Sequence, residues 1–548
     1  MRSGRHGWAG GAGRLTTACV LALVGLAGAP PAGSAATTGS SWTVYHGDPA
    51  GSGVAPAVTA VDTGAPAWTS PTLDGQLYGE PLVTGVDVFV ATENDTVDAL
   101  SASTGRVVWS THVGTPVPSS DLPCGDITPT VGITGTPVID PSRGELFAVA
   151  DELVHGSPAH MLVGINTSTG AIELQQDVDP TGATPSALLQ RTGLSLNAGR
   201  VVFAMGGNYG DCASYRGRVV AVGEAGGTPT VFTVDAASGD NQGAIWMGGA
   251  APAIDAQGNI WVGVGNGSVY SASGGYDDSD SALELSPALT LRQYFAPSDW
   301  PANNAHDLDM SIAPALLADG QVVLAGKSRI IYLLNGSHLG GIGGQEASLP
   351  SGCGDDIDGG TAVVGTTVYL PCVTGPIAVQ ITASPPSIRV LWRAGVGGGP
   401  PIVAAGLVWT IGQNGVLYGL DPTSGAVRQR ASIGVPANHF PTASVGDGLL
   451  LAPAGAQVVA FSATSASTAS PTSSTSSTTS PASTTSPSST STAPPARAPA
   501  ARPPHAFPTA AVVVGALAVI ALGALAVSLL RRRRRPGPGA GSPPDLSP

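Results

Sequence analysis

From residue 79 onward, apolar and polar positions recur in one order along the chain. Each unit opens on a small residue, often with Pro beside it. A run rich in Val, Ile and Thr follows, then a short polar turn, then a second run. That run leads into an Asp/Ser/Asn-x-x-x-Gly turn, and an apolar or Trp-bearing run closes the unit. The clearest copy is 79–114, GEPLVTGVDVFVATENDTVDALSASTGRVVWSTHVG; 398–434 and 135–177 repeat it, and weaker copies begin near Leu188, Gly243, Asp309, Gly359 and Asn438. Short β-branched runs bounded by Gly, Asn and Asp predict strands. The turns Ala102-Ser103-Thr104-Gly105 and Pro422-Thr423-Ser424-Gly425 supply Gly where a left-handed residue is needed.

Eight units spaced by roughly 40 to 66 residues suit four-stranded propeller blades with insertions. The last unit is short at its C-terminal end, and 61–74, VDTGAPAWTSPTLD, has the pattern of an isolated closing strand that would complete it. Joining the two ends would close the ring and hide its sheet edges. The expected fold is therefore all-β, an eight-bladed β-propeller over 42–461, with seven or nine blades also compatible with the spacing.

The flanks read differently. Arg2, Arg5 and Arg14, the apolar stretch 15–29 and the small residues 34–36 predict a secretory signal over 1–35. A Ser/Thr/Pro/Ala-rich segment, 462–508, cannot bury a core and is expected to be a disordered stalk reaching at most roughly 150 Å. Residues 509–530 are 22 uncharged, mostly apolar residues, long enough for one transmembrane helix. Arg531–Arg535 follow directly, which places the short tail 531–548 in the cytoplasm and the body outside the cell. The expected localisation is the cell membrane, single-pass, with the N-terminal domain extracellular.

Charge narrows the partners. The stretch 36–461 holds 13 Lys+Arg against 36 Asp+Glu, a net charge of −23. Such a surface repels phosphate backbones, which argues against nucleic acid as a partner and weakly favours a cationic one. Only 11% of the chain is charged, while Gly (76) and Pro (47) are abundant, which rules out a long coiled coil. After signal removal Cys124, Cys212, Cys353 and Cys372 remain, an even number suited to disulfides in an exported protein. Three pairings are open. Cys353–Cys372 is attractive because both lie in one unit, and Cys124–Cys212 would then join neighbouring units.

The Ser101-Ala102-Ser103-Thr104-Gly105-x-x-x-Trp109 and Asp421-Pro422-Thr423-Ser424-Gly425 runs resemble the repeat signature of the pyrroloquinoline-quinone (PQQ)-like propeller family. The resemblance extends beyond the repeat: Trp42-x-x-Tyr45-His46-Gly47-Asp48 resembles the entry segment of secreted members, and Gly210-Asp211-Cys212-x-x-Tyr215-x-Gly217 and 326–335, GKSRIIYLLN, are similar to family segments too. The resemblance implies a propeller, but its members include both quinone-dependent dehydrogenases and non-enzymatic scaffolds, so the site must decide the function. A dehydrogenase of this type uses PQQ, calcium, a carboxylate base and flat walls around the quinone. The adjacent cysteine pair that forms one wall in many alcohol-oxidising members is missing. Lys327, the sole lysine, and Arg329 match the segment where such enzymes place a cation facing the quinone oxygens. Asp277, Asp278 and Asp280, and separately Asp355, Asp356 and Asp358, are the carboxylate groups suited to calcium, although neither has the EF-hand spacing.

No complete catalytic set is identifiable. The sequence therefore points to a membrane-anchored, cell-surface propeller acting as a non-catalytic binding or scaffold module for an extracellular protein, glycan or envelope component, without a cofactor. The alternative is a PQQ- and calcium-dependent dehydrogenase oxidising an alcohol or sugar outside the cell. No haem-attachment C-x-x-C-H motif is present, so its electrons would leave through a separate carrier.

Overall fold

The protein is described here by a computed structural model covering residues 41–235 and 241–465. The signal segment 1–35, the stalk from residue 466 onward, the apolar run 509–530 and the tail lie outside the described residues. Among the described residues no helix is long and apolar enough to cross a membrane.

Eight antiparallel sheets follow one another along the chain: blade 1 (82–112), blade 2 (138–177), blade 3 (195–233), blade 4 (253–296), blade 5 (315–349), blade 6 (362–393), blade 7 (402–432) and blade 8 (444–465). The eight-bladed propeller expected from the repeats is the observed fold. Within a blade the second strand is buried throughout, as in Gln321–Ala325, because both of its faces meet neighbouring blades. The fourth strand alternates between exposed and half-buried residues, as in Val107–His112 and Val427–Ser432, which marks it as the outer edge. The first strands therefore line the centre.

The ring closes as the 61–74 pattern predicts. Trp68–Thr69 pairs antiparallel with Ala460 and Val459, supplying blade 8 with its missing strand. The strand Val58–Asp62 pairs further along, out to Ser465, so the last strand extends past Phe461. One packing device recurs around the ring. The indoles of Trp68, Trp109 and Trp392 each donate a hydrogen bond to a carbonyl in the next blade's outer turn: Ala102 at 2.7 Å, Thr167 at 3.0 Å and Pro422 at 2.8 Å. Each ring also lies against the glycine of that turn. A Cβ at Gly105 would sit 2.4 Å from the Trp68 ring, and one at Gly425 2.5 Å from Trp392. Those glycines have φ of +67° and +69°, so backbone conformation and close approach both require Gly there.

The chain before blade 1 fills the centre. Trp42 pairs with Val83 of blade 1, Thr43 accepts from Ile139 of blade 2, and Pro49 accepts from Ile254 of blade 4. Ser52 and Gly53 accept from Val363 of blade 6 and Val403 of blade 7. Residues 42–53 thus bond to five innermost strands. Tyr45 and His46 stack in parallel at 4.3 Å; the Tyr45 hydroxyl accepts from Gly360 N–H, and His46 Nδ1 meets the Thr361 carbonyl at 3.0 Å. Burial lowers the His46 pKa to about 4, so this plug carries a neutral imidazole at physiological pH.

Candidate functional site

In an antiparallel four-stranded blade, the loop leading into the first strand and the loop between the second and third strands emerge on one face. Every residue the sequence singled out for chemistry lies on this loop face. Both disulfides staple it: Cys124–Cys212 joins the loop leading into blade 2 to the inner loop of blade 3, and Cys353–Cys372 joins two loops of blade 6. The pairing favoured from the sequence is the one observed.

Towards the axis on this face, side chains from the loops that lead into the first strands contact one another across blades. Asn438 Nδ2 donates to the Tyr78 carbonyl at 2.7 Å, and the Arg191 guanidinium stands over the Tyr78 ring at 5.7 Å. Arg191 is 8% exposed and packs on Gly249, where a Cβ would lie 2.3 Å from Nη1. Gly249 N–H donates to the Trp246 carbonyl, the Trp246 ring meets Phe440 at 5.7 Å, and Phe440 N–H donates back to Asn438 Oδ1 at 2.6 Å. These contacts form a closed circuit from loops of blades 1, 3, 4 and 8. Burial lowers the Arg191 pKa, and Glu93 opposes that shift. Burial also pushes Glu93 up to about 7, although Gly132 N–H and the Thr134 hydroxyl donate to its carboxylate.

Lys327 stands beside the circuit. Its ammonium lies 2.5 Å from Asp309, 3.3 Å from Asp307 and 5.4 Å from the centre of the Trp246 ring. Burial pulls its pKa down, but Asp309 first, then Asp307 and Asp358, outweigh that and hold it above the ordinary value. Arg329 is exposed, in a left-handed conformation at φ +63°. The two acidic groups do not each converge on a point. Asp277 is absorbed in stapling its own loop, accepting from Val269 N–H, Ser279 Oγ and Asn304 Nδ2. Asp278 is half-buried in the same loop. Asp280 is buried, its carboxylate oxygens without hydrogen-bond partners, and faces Asp309 of the next blade. Asp355 and Asp356 are half-buried while Asp358 is buried. Among the described residues, no group of three or more His, Cys, Asp or Glu is arranged to hold a metal ion.

The family model described as outer membrane protein assembly factor BamB (PQQ_2) matches residues 2–275, half of the chain. The chain belongs to this PQQ-like family. Among solved structures, the quinohemoprotein alcohol dehydrogenase from Comamonas testosteroni is 15% identical, with a TM-score of 0.57 over 77% of this chain and 80% of that one. Quinohemoprotein alcohol dehydrogenase ADHIIG from Pseudomonas putida HK5 is 14% identical with a TM-score of 0.55, covering 77% and 80%. A europium-containing methanol dehydrogenase is 14% identical, TM-score 0.56, covering 77% of this chain and 98% of that one. Identities this low show the fold alone. A search of curated proteins finds no significant match.

The fold thus raises PQQ and its metal. A flat quinone needs open space against an indole face and a cation held by several converging ligands. Here Phe440 and Lys327 pack on Trp246, Arg191 fills the mouth, and the carboxylates are spread over separate loops. The residues as arranged do not fit the group.

Sequence reasoning placed Lys327 and the acidic loops but missed Tyr78, Arg191, Asn438 and Phe440, which meet at the mouth. Their shared signal is position: all lie in the loops just before a blade's first strand, where side chains point to the axis.

Proposed function

We propose that the protein is a non-catalytic binding or scaffold module, carried outside the cell on its own membrane anchor, for an extracellular protein, glycan or envelope component. The observation that carries this reading is the closed circuit of Asn438, Tyr78, Arg191, Gly249, Trp246 and Phe440 across the mouth. It leaves the loops as the surface a partner meets, and membership of a family described by an assembly factor agrees with that use. Tyr209 and Tyr270 are 73% and 60% exposed on those loops, large amphipathic side chains suited to an interface.

A photo-reactive residue at Tyr209 or Tyr270 in the full-length chain tests this. The expected result is a discrete crosslinked species in cells from these two positions and none from Val86 or Val108, exposed apolar positions on blade 1 away from the loop face. Equal crosslinking from all four positions contradicts it.

The second reading is a PQQ- and calcium-dependent dehydrogenase acting on an alcohol or sugar. One specific observation favours it: a lysine, two carboxylates and an indole meet at Lys327. It requires Phe440 and Lys327 to move off Trp246 before a flat cofactor enters.

A further inference from the structure

The loop face is electrostatically lopsided around Lys327. Asp211 comes from the inner loop of blade 3, Asp307 and Asp309 from the loop leading into blade 5, and Asp355, Asp356 and Asp358 from the loop leading into blade 6. They are mutually close: Asp211 feels Asp309, Asp307 and Lys327, and Asp356 feels Asp355, Lys327, Arg329 and Asp307. Lys327 is held by Asp309 and Asp307. Asp211 accepts from the Tyr215 hydroxyl at 2.6 Å, and the solvated guanidinium of Arg329 stands near Asp356, so carboxylates outnumber cations here.

Two buried carboxylates in this bowl carry oxygens without a hydrogen-bond donor, one oxygen on Asp358 and both on Asp280. Asp358 is 5% exposed with Oδ1 unpartnered, and it lies within reach of Asp356, Lys327 and Asp309. Asp280 is 0% exposed with neither oxygen partnered, and faces Asp309 and Asp307. An acceptor left without a donor in such a place is costly, and an arriving cation relieves the cost. The same bowl has aromatic faces beside it. Trp246 already carries the Lys327 ammonium, and Tyr209 and Tyr270 stand exposed on the neighbouring loops.

We infer that this acidic bowl docks a Lys/Arg-rich polypeptide segment, with Lys327 occupying the place of one ligand ammonium until the segment arrives. The inference rests on the binding-module reading and names its partner class. A single metal ion needs ligands that converge on a point, whereas these carboxylates span loops of four blades, 3 to 6. A segment carrying several cations matches that spread, and its side chains can use the aromatic faces that a metal ion cannot.

The probe is hexalysine, titrated calorimetrically into the full-length protein, with hexaglutamate and calcium chloride as separate titrants. Hexalysine is expected to bind, and to weaken as salt rises from about 50 mM to about 500 mM. Replacing three bowl residues together, Asp307→Asn, Asp355→Asn and Asp356→Asn, is expected to weaken it by about tenfold or more. The control set Asp62→Asn, Glu173→Gln and Asp319→Asn, exposed carboxylates outside the bowl, is expected to leave it unchanged. Lys327→Met is expected to strengthen binding, since it frees Asp309 and Asp307 for the ligand; a merely structural lysine would weaken it. Equal losses in the two triple sets, weaker binding in Lys327→Met, or binding of calcium but not hexalysine would each overturn the inference. Absence of hexalysine binding, with the loop-face crosslinks retained, overturns the inference and leaves the binding-module reading standing. Loss of the crosslinks themselves removes that reading.

Discussion

Closure of the ring depends on one short strand, and Trp68→Ala tests it. Trp68 is 8% exposed and pairs through only two residues, Trp68 with Ala460 and Thr69 with Val459. Its indole N–H donates to the Ala102 carbonyl at 2.7 Å, and its ring packs on Gly105 of blade 1. Truncating a buried Trp to Ala costs about 3–5 kcal/mol, and the lost hydrogen bond accounts for about 1 kcal/mol of that. Trp68→Phe keeps most of the apolar contact and removes the donor, so it separates the two contributions at about 1 kcal/mol. The assay is equilibrium urea unfolding followed by circular dichroism, with limited proteolysis between residues 62 and 68 as a probe of local opening. Trp392→Ala removes the same kind of docking between blades 6 and 7, where no chain end is involved. The expected outcome is a comparable loss of stability in both Ala variants, with early cleavage near residue 65 in Trp68→Ala alone. Stability of Trp68→Ala within about 1 kcal/mol of the parent would refute the closure argument.

Other consequences follow from the polar clusters. His160 is buried between Asp151 at 2.9 Å and Asp179 at 2.7 Å; burial pulls its pKa down, but Asp151 and then Asp179 outweigh this and raise it to about 10. His160→Gln should therefore cost about 3 kcal/mol near pH 6, and the difference should shrink as pH rises from about 6.5 through about 10, measured by urea unfolding at each pH. Asp95 is buried with both oxygens unpartnered, and burial, then Asp151, Glu152, Glu93 and Asp74, push it up to about 10. Between its unfolded value and that pKa the native state holds a proton the unfolded chain has lost, so Asp95→Asn should stabilise by on the order of 2 kcal/mol at about pH 8 and not at about pH 4. Its left-handed φ of +54° suits Asn. Replacing both Cys124 and Cys212 by Ala should cost about 2–4 kcal/mol in the same unfolding assay, since that bridge closes a loop with a sequence separation of 88.

The blades were legible because their signal is local. A strand of alternating or continuous apolar residues, a turn with glycine at the left-handed position and a closing run that often bears Trp all fall within one repeat, and Gly105 and Gly425 mark it plainly. The closing strand was legible for the same reason: 61–74 carries the outer-strand pattern without a blade of its own. The channel plug was visible as a motif, Trp42 to Asp48, but its route across five inner strands was not, because its partners range from Val83 to Val403. The mouth was least legible. Asn438 and Tyr78 are 360 residues apart in sequence, and only ring closure brings them together. The two acidic loops illustrate the limit from the other side. Their spacing suggested one cation each, while the fold turns Asp277 into a loop staple and points Asp280 toward Asp309 of another blade.

The proposed binding function sets Arg191, Trp246 and Phe440 against a quinone at the mouth. Titrating the full-length protein with PQQ and calcium, with calorimetry for binding and dye reduction over a panel of alcohols and sugars, tests it most directly. The account predicts no calcium-dependent PQQ binding and no turnover by a protein that is folded and retains its loop-face crosslinks. Tight calcium-dependent binding, with dye reduction that Lys327→Ala abolishes, would contradict it.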